Sequence, residues 1–163
     1  VLLLGKSLHA LEVMRSVLSG DNTLTALSVQ EALLRLEFND VGVIVADSQS
    51  GDTEFLDFLS LLKSKHPSIT TVMLSDTTDS ELVIRLINEA QIFRFAFKPL
   101  RRGAFRLAVA SAMQAHKRLV NNPDLLVRHR VEENQNAFGG VLLSAVSRGI
   151  KRIRTRLMIF GTR

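Results

Sequence analysis

Val43-Ile44-Val45-Ala46-Asp47 is a run of four apolar residues that ends on a single carboxylate, followed by Ser48-Gln49-Ser50-Gly51-Asp52. A short, β-branched, uninterrupted apolar run predicts a strand buried on both faces. Strands of that kind build open parallel α/β sheets, where chemistry sits just past the carboxyl ends. Asp47 therefore stands where a nucleophilic or metal-binding carboxylate would stand. Whether it does that work depends on what the other strand ends supply.

Outward from that run, strands and helices alternate. Val1–Leu4 predicts a buried strand. Gly5-Lys6-Ser7 turns into a helix over 8–18, with Leu8, Leu11, Met14 and Leu18 at helical spacing. Ser19-Gly20-Asp21-Asn22 stops it. Thr23–Ser28 predicts a short strand, more polar and so nearer an edge. Val29–Phe38 predicts a helix with Ala32, Leu33 and Leu36 on one face. Asn39-Asp40 leads into the strand over 41–46. A helix then opens at Thr53 or Glu54, runs through Phe55, Leu56, Phe58, Leu59 and Leu62, and ends before Pro67, which bars continuation. Ile69–Leu74 predicts the fourth strand. Thr78 or Asp79 can cap a helix to Ala90 with Leu82, Val83, Leu86 and Ile87 inward. Ile92–Phe97 predicts the fifth strand, and a last helix spans about 103–119.

Five strand–helix units in strict alternation imply a doubly wound parallel sheet with helices on both faces. Five units match the flavodoxin-like (βα)5 fold, strand order 2-1-3-4-5. The predicted organisation is a domain over 1–120, a linker over 121–140 opened by Asn121-Asn122-Pro123-Asp124, and a basic amphipathic helix over 141–163. In that C-terminal extension Leu143, Val146, Ile150, Ile153, Leu157 and Phe160 recur at alternating spacings of 3 and 4, a heptad stripe. Gly139-Gly140 precedes it, and Gly149 weakens it.

Composition narrows the function classes. Of the 163 residues, 46% are apolar, enough for a core, and none is Cys, which removes disulfides, thiolate metal sites and Cys nucleophiles. Cys-free composition fits a reducing, cytoplasmic setting. No stretch approaches about 18 uncharged apolar residues, so no transmembrane helix is expected. There is no signal-peptide pattern, and a start within an apparent strand suggests that upstream residues are missing. Charge is unevenly divided. Residues 1–99 hold 8 Lys/Arg and 13 Asp/Glu, a net of −5, while 100–163 hold 13 and 3, a net of +10. The two parts are expected to face different surroundings.

Side by side, the strand ends supply Gly5-Lys6, Asp47, Ser75 and Lys98-Pro99. Asp, Ser and Lys on one sheet edge suit phosphoryl transfer to a carboxylate. The Asp attacks, the hydroxyl and ammonium bind phosphoryl oxygens, and a metal neutralises charge.

At these residues the chain resembles the receiver domain of two-component response regulators, over roughly residues 1–120. The resemblance is carried by Val43–Asp47, by Met73-Leu74-Ser75 and by Ile92-Phe93-Arg94-Phe95-Ala96-Phe97-Lys98-Pro99. The last stretch is similar to the fifth strand of receivers in cyclic-di-GMP signalling regulators. The resemblance implies that Asp47 is the phospho-acceptor position, Ser75 and Phe95 the switch positions and Lys98 the phosphate-contacting Lys. It also implies that Pro99 follows a cis bond.

Two departures qualify it. Active receivers carry two acids after the first strand that help hold Mg²⁺, and here Gly5-Lys6 stands there. Mg²⁺ needs oxygen ligands, usually with one or two carboxylates, whereas Lys6 repels it or pairs with Asp47. The loop over 48–53 is also shorter and lacks the Met-Pro pair. The leading expectation is therefore a degenerate pseudo-receiver, not an enzyme and without a cofactor. It would act as a phosphorylation-independent interaction or homodimerisation module for an attached or partner output domain. The resemblance implies that the helix before the fifth strand, that strand and the last domain helix would supply the contact; Arg101, Arg102 and Arg106 are basic docking candidates. The first alternative is a working receiver that uses Mg²⁺ and Asp47. The second is a nucleic-acid binder through Arg148, Lys151, Arg152, Arg154 and Arg156, disfavoured because these cations spread around the helix.

Plainer readings stand beside each of these. Asp47 can simply cap the sheet edge through an ion pair with Lys98, and Ser75 can be a turn residue. Phe93, Phe95 and Phe97 share a face at period two, which predicts packing under a helix or, if that face lies at the sheet edge, a partner surface. Gly5-Lys6-Ser7 lacks the upstream Gly and wrapping loop of a nucleotide-binding P-loop. His9, His66, His116 and His129 share no metal-ligand spacing.

Overall fold

The computed structural model describes residues 1–48, 53–76, 83–84, 87–88 and 90–127. The elements are β1 (Leu2–Gly5), α1 (Leu8–Val17), β2 (Leu24–Ala26), α2 (Val29–Phe38), β3 (Val43–Ser48), α3 (Thr53–Lys65), β4 (Thr70–Ser75), β5 (Arg94–Phe97), α4 (Arg102–Asn121) and α5 (Asp124–Val127). The strands form one parallel sheet in the order β2-β1-β3-β4-β5. This is the flavodoxin-like arrangement expected from the alternation of the units.

Side-chain alternation along each strand assigns its residues to one of two cores. Leu2, Leu4, Ile44, Ala46 and Met73 point to the face covered by α2 and α3, where they meet Val29, Ala32, Leu36, Phe55, Leu56, Phe58 and Leu59. Leu3, Val43, Val45, Val72 and Leu74 point to the other face, under α1 and α4, against Leu11, Met14, Val17, Phe105, Ala108, Val109 and Ala112. β1, β3 and β4 are apolar at nearly every position because both of their faces are dry.

Local chemistry starts the helices. Ser7 accepts a hydrogen bond from the Ala10 amide at 3.3 Å and caps α1. Ser28 accepts from the Glu31 amide at 3.1 Å, and Glu31 Oε2 reaches back to the Leu27 amide at 2.9 Å. The Ser-x-x-Glu sequence thus satisfies two orphan donors at the start of α2.

Three expectations change. Leu8 is 57% exposed and not part of the α1 seam, because it occupies the first turn at the rim of the sheet. Ile87 is 52% exposed where an inward side chain was expected, and Val83 is half-buried. The predicted stripe of Leu82, Val83, Leu86 and Ile87 therefore does not hold at Ile87; Leu82 and Leu86 lie outside the described residues. β5 begins at Arg94 and not at Ile92, because Gln91 takes a left-handed backbone conformation (φ 43°) that turns the chain first. The Gly139-Gly140 break and the heptad stripe from Leu143 to Phe160 lie outside the described residues, as does the loop over 49–52.

Candidate functional site at the carboxyl edge of the sheet

Asp47 sits one residue before the end of β3, the central strand. Gly5 of β1 is its register partner on one side and Leu74 of β4 on the other, and Ser48 pairs with Ser75. Ladder hydrogen bonds on both sides hold the backbone here. The side chain is 8% exposed. Lys98, just past β5, reaches back so that its Nζ lies 2.5 Å from Asp47 Oδ1. The contact is an ion pair by proximity. Oδ1 is enclosed and accepts no well-formed hydrogen bond. A carboxylate so deeply placed is held by its counter-charge, since an unpaired buried charge is costly.

The backbone carries Lys98 to this position. Its amide donates to Ser75 O at 3.0 Å, and the Phe93 amide donates to Thr71 O at 2.8 Å, so β4 grips β5 beyond both of its ends. The Lys98–Pro99 peptide is cis. Ser75 is 1% exposed, at the last position of β4. Asp47, Ser75 and Lys98, which follow one another at steps of 28 and 23 residues in sequence, therefore share one corner of the sheet.

At the end of β1 the picture differs. Gly5 has no side chain to offer, and Lys6 is exposed with its Nζ 5.6 Å from the centre of the Phe55 ring. That is cation–π distance, with the ring at the start of α3. Mg²⁺ would need oxygen ligands here, typically including one or two carboxylates. Among the described residues no three His, Cys, Asp or Glu side chains converge. Gly5 supplies no oxygen beyond its backbone, and Lys6 supplies a positive charge. Among the described residues, the donor set at this corner does not fit Mg²⁺.

The aromatic strand is split between inside and outside. Phe95 is half-buried against the α2/α3 core. Phe97 is 62% exposed, and its ring meets Phe95 edge-on at 5.0 Å and 68°. Phe93 is also exposed, with the Arg94 guanidinium 5.9 Å from its ring. The expectation that all three pack under a helix is corrected: only Phe95 does so in part. β5 is an edge strand, so nothing lies beyond its rim among the described residues. Arg101, Arg102 and Arg106 follow at the start of α4, all exposed, and Leu107 beside them is 70% exposed.

Sequence reasoning missed an anchor at the opposite edge. His116 of α4 lies flat on Gly42, just before β3: a Cβ at Gly42 would fall 2.3 Å from His116 Cδ2. His116 Nδ1 donates to Ser68 O at 2.8 Å, and Thr70 Oγ1 donates to Ala112 O at 3.0 Å. The available signal was a Gly beside an apolar strand and a Thr pair opening another. Neither reveals its partner some 40 or more residues away.

No family model matches the chain. The chain is 30% identical over 100 residues to the hydrogenase transcriptional regulatory protein HoxA of Cupriavidus necator, a match covering 61% of this chain and 21% of that protein. The chain thus spans about a fifth of the length of that curated relative. A solved signal receiver domain of an HD domain-containing protein from Pseudomonas fluorescens Pf-5 superposes with a TM-score of 0.66 at 23% identity, over 71% of this chain and 94% of that one. A structure described as adenylate cyclase from Rhodopirellula baltica gives a TM-score of 0.67 at 24% identity, over 78% and 96%. Other receiver domains superpose comparably. The fold of the described residues is that of the CheY-like response-regulator receiver domains.

Proposed function

We propose that this chain is a degenerate receiver of a bacterial two-component-type signalling protein. It acts through protein contact and not through phosphorylation of Asp47. One observation carries the reading: the register partner of Asp47 on β1 is Gly5, followed by Lys6, where a metal-dependent phospho-acceptor needs acids. Phosphoryl transfer to a carboxylate brings two anions together and depends on a cation to neutralise them. The Asp47–Lys98 pair supplies one positive charge and encloses the carboxylate.

On this reading the module is not an enzyme, needs no cofactor and works in the cytoplasm on an output domain or partner protein. Similarity to one part of a transcriptional regulator supports an attached output domain. No described helix is long and apolar enough to cross a membrane. The rim of β5 supports docking. Phe97, Phe93 and Leu107 are large, apolar and exposed, and Arg101, Arg102 and Arg106 add positive charge beside them. A second copy is the proposed occupant, with the stripe from Leu143 to Phe160 as a further dimer contact and the linker over 121–140 joining the two. A place in cyclic-di-GMP signalling rests only on the resemblance of the fifth strand.

The second reading is a working phospho-switch, favoured by the convergence of Asp47, Ser75 and Lys98 at one corner. Acetyl phosphate or beryllofluoride with Mg²⁺ separates the two. The degenerate reading expects no phosphoryl adduct on Asp47 by mass spectrometry and no Mg²⁺-dependent spectral change. Stoichiometric modification of Asp47 rejects it. The nucleic-acid reading rests on cations outside the described residues. It requires salt-dependent binding that is lost on deletion of 139–163.

A further inference from the structure

We infer that the end of β1 is closed to a divalent cation by shape and not by the charge of Lys6: Gly5 lets β1 and β3 approach beside Asp47 so closely that a side chain at position 5 makes the Asp47 Cβ give by a few tenths of an ångström. The inference rests on the functional reading above, in that it gives a structural reason why Asp47 would not serve as a metal-dependent phospho-acceptor. A Cβ placed on Gly5 would lie 3.0 Å from Asp47 Cβ, 3.4 Å from Leu11 Cδ2 and 3.5 Å from the Asp47 carbonyl oxygen. Paired strands ordinarily stand about 4.7–4.9 Å apart, and side chains of register partners keep a similar spacing.

The atoms around Gly5 have little room to withdraw. Asp47 lies on a strand hydrogen-bonded to neighbours on both sides, and Lys98 holds its carboxylate. Leu11 is completely buried in the core under α1 and α4. A side chain at position 5 therefore requires β1, Asp47 or Leu11 to yield by a few tenths of an ångström beside the Lys98 contact. Mg²⁺ demands near-octahedral geometry at about 2.0–2.1 Å, so a second carboxylate that shifts the first does not assemble a site. Lys6, by contrast, is an exposed side chain whose charge one substitution removes without touching the strand contact.

The test separates shape from charge on the full chain. Thermal unfolding is followed in MgCl₂ and in NaCl of matched ionic strength for the wild type, K6D and G5D/K6D. Alongside, G5A is measured in wild-type, D47N and D47G backgrounds. K6D and G5D/K6D are expected to show no Mg²⁺-specific rise in Tm. G5A is expected to lower Tm in the wild type and in D47N, which keeps the Cβ, and to cost much less in D47G, which removes it. Mg²⁺-specific stabilisation of K6D or of G5D/K6D overturns the inference. So does a G5A cost that is the same in all three backgrounds. Should G5D/K6D fail to fold, the G5A series decides alone. Phosphorylation of wild-type Asp47 would instead reject the functional reading, and the dependence of the G5A cost on the Asp47 Cβ would still be read separately.

Discussion

Lys98 neutralises a carboxylate that is 8% exposed, while about a third of the Lys98 side chain remains in water. Removing one partner of a buried pair leaves an uncompensated charge and costs roughly 3–5 kcal/mol, less when solvent reaches the site. Lys98→Ala is expected to destabilise the fold by about 2–3 kcal/mol in urea titrations. D47N/K98M, which removes both charges, should recover part of that loss. A K98A variant as stable as the wild type would show that the pair is an accessory contact. Titration enters at His66, whose imidazole is held below its ordinary value of 6.5 by burial. The unfolded chain then takes up the proton first as pH falls. The contribution of His66 is full above about 6.5 and is lost as pH drops toward its lowered folded value. H66Q is expected to lose less stability than the wild type between pH 7 and pH 5 in parallel thermal melts. The residue types at the corner were readable in the sequence, since Asp47, Ser75 and Lys98 each close an apolar run. The approach of Gly5 to Asp47 was not, because the distance between two strands is a property of both.

At the scale of elements, α4 is fixed at the far edge by His116 lying on Gly42 and by Thr70 bonded to its Ala112 carbonyl. Gly42→Ala puts a methyl where the imidazole ring is, so ring or helix must move. The expected cost is about 1–3 kcal/mol, as for other overpacked sites. Shortening the ring position as well, in G42A/H116A, should relieve part of it in the same denaturation assay. α2 depends on its cap: Ser28→Ala should cost about 1 kcal/mol by losing the bond to the Glu31 amide. Element positions followed well from apolar runs and stop signals, as in α2, whose predicted bounds and observed bounds coincide. β5 did not, because Gln91 makes a left-handed turn without the Gly or Asn that would announce it. The aromatic alternation from Phe93 to Phe97 identified a shared face and the expected strand order put β5 at the edge of the sheet, but neither told how much of that face a helix would cover.

For the whole molecule, the uneven charge and the exposed rim of β5 make association the property to measure. Light scattering of the full chain is expected to give a dimer that becomes a monomer when 139–163 is deleted. A monomeric full chain would reject the homodimer, and a dimer that survives the deletion would move the contact to β5, where Phe97→Asp should then dissolve it. The sequence by itself determined the five strands, their parallel order and the residues that close each strand, because buried strands must be apolar and segment ends must carry turn and cap chemistry. Only the tertiary structure decided that Lys98 takes the Asp47 charge, that Gly5 stands so close to Asp47 that a side chain there needs its neighbours to shift, that His116 seats α4 on Gly42, and that Phe97 faces outward. The physical reason is common to all four. Periodicity along a chain encodes which way a residue faces within its own element. Contact and exposure depend on how closely elements far apart in sequence pack, and that spacing is set by both partners together.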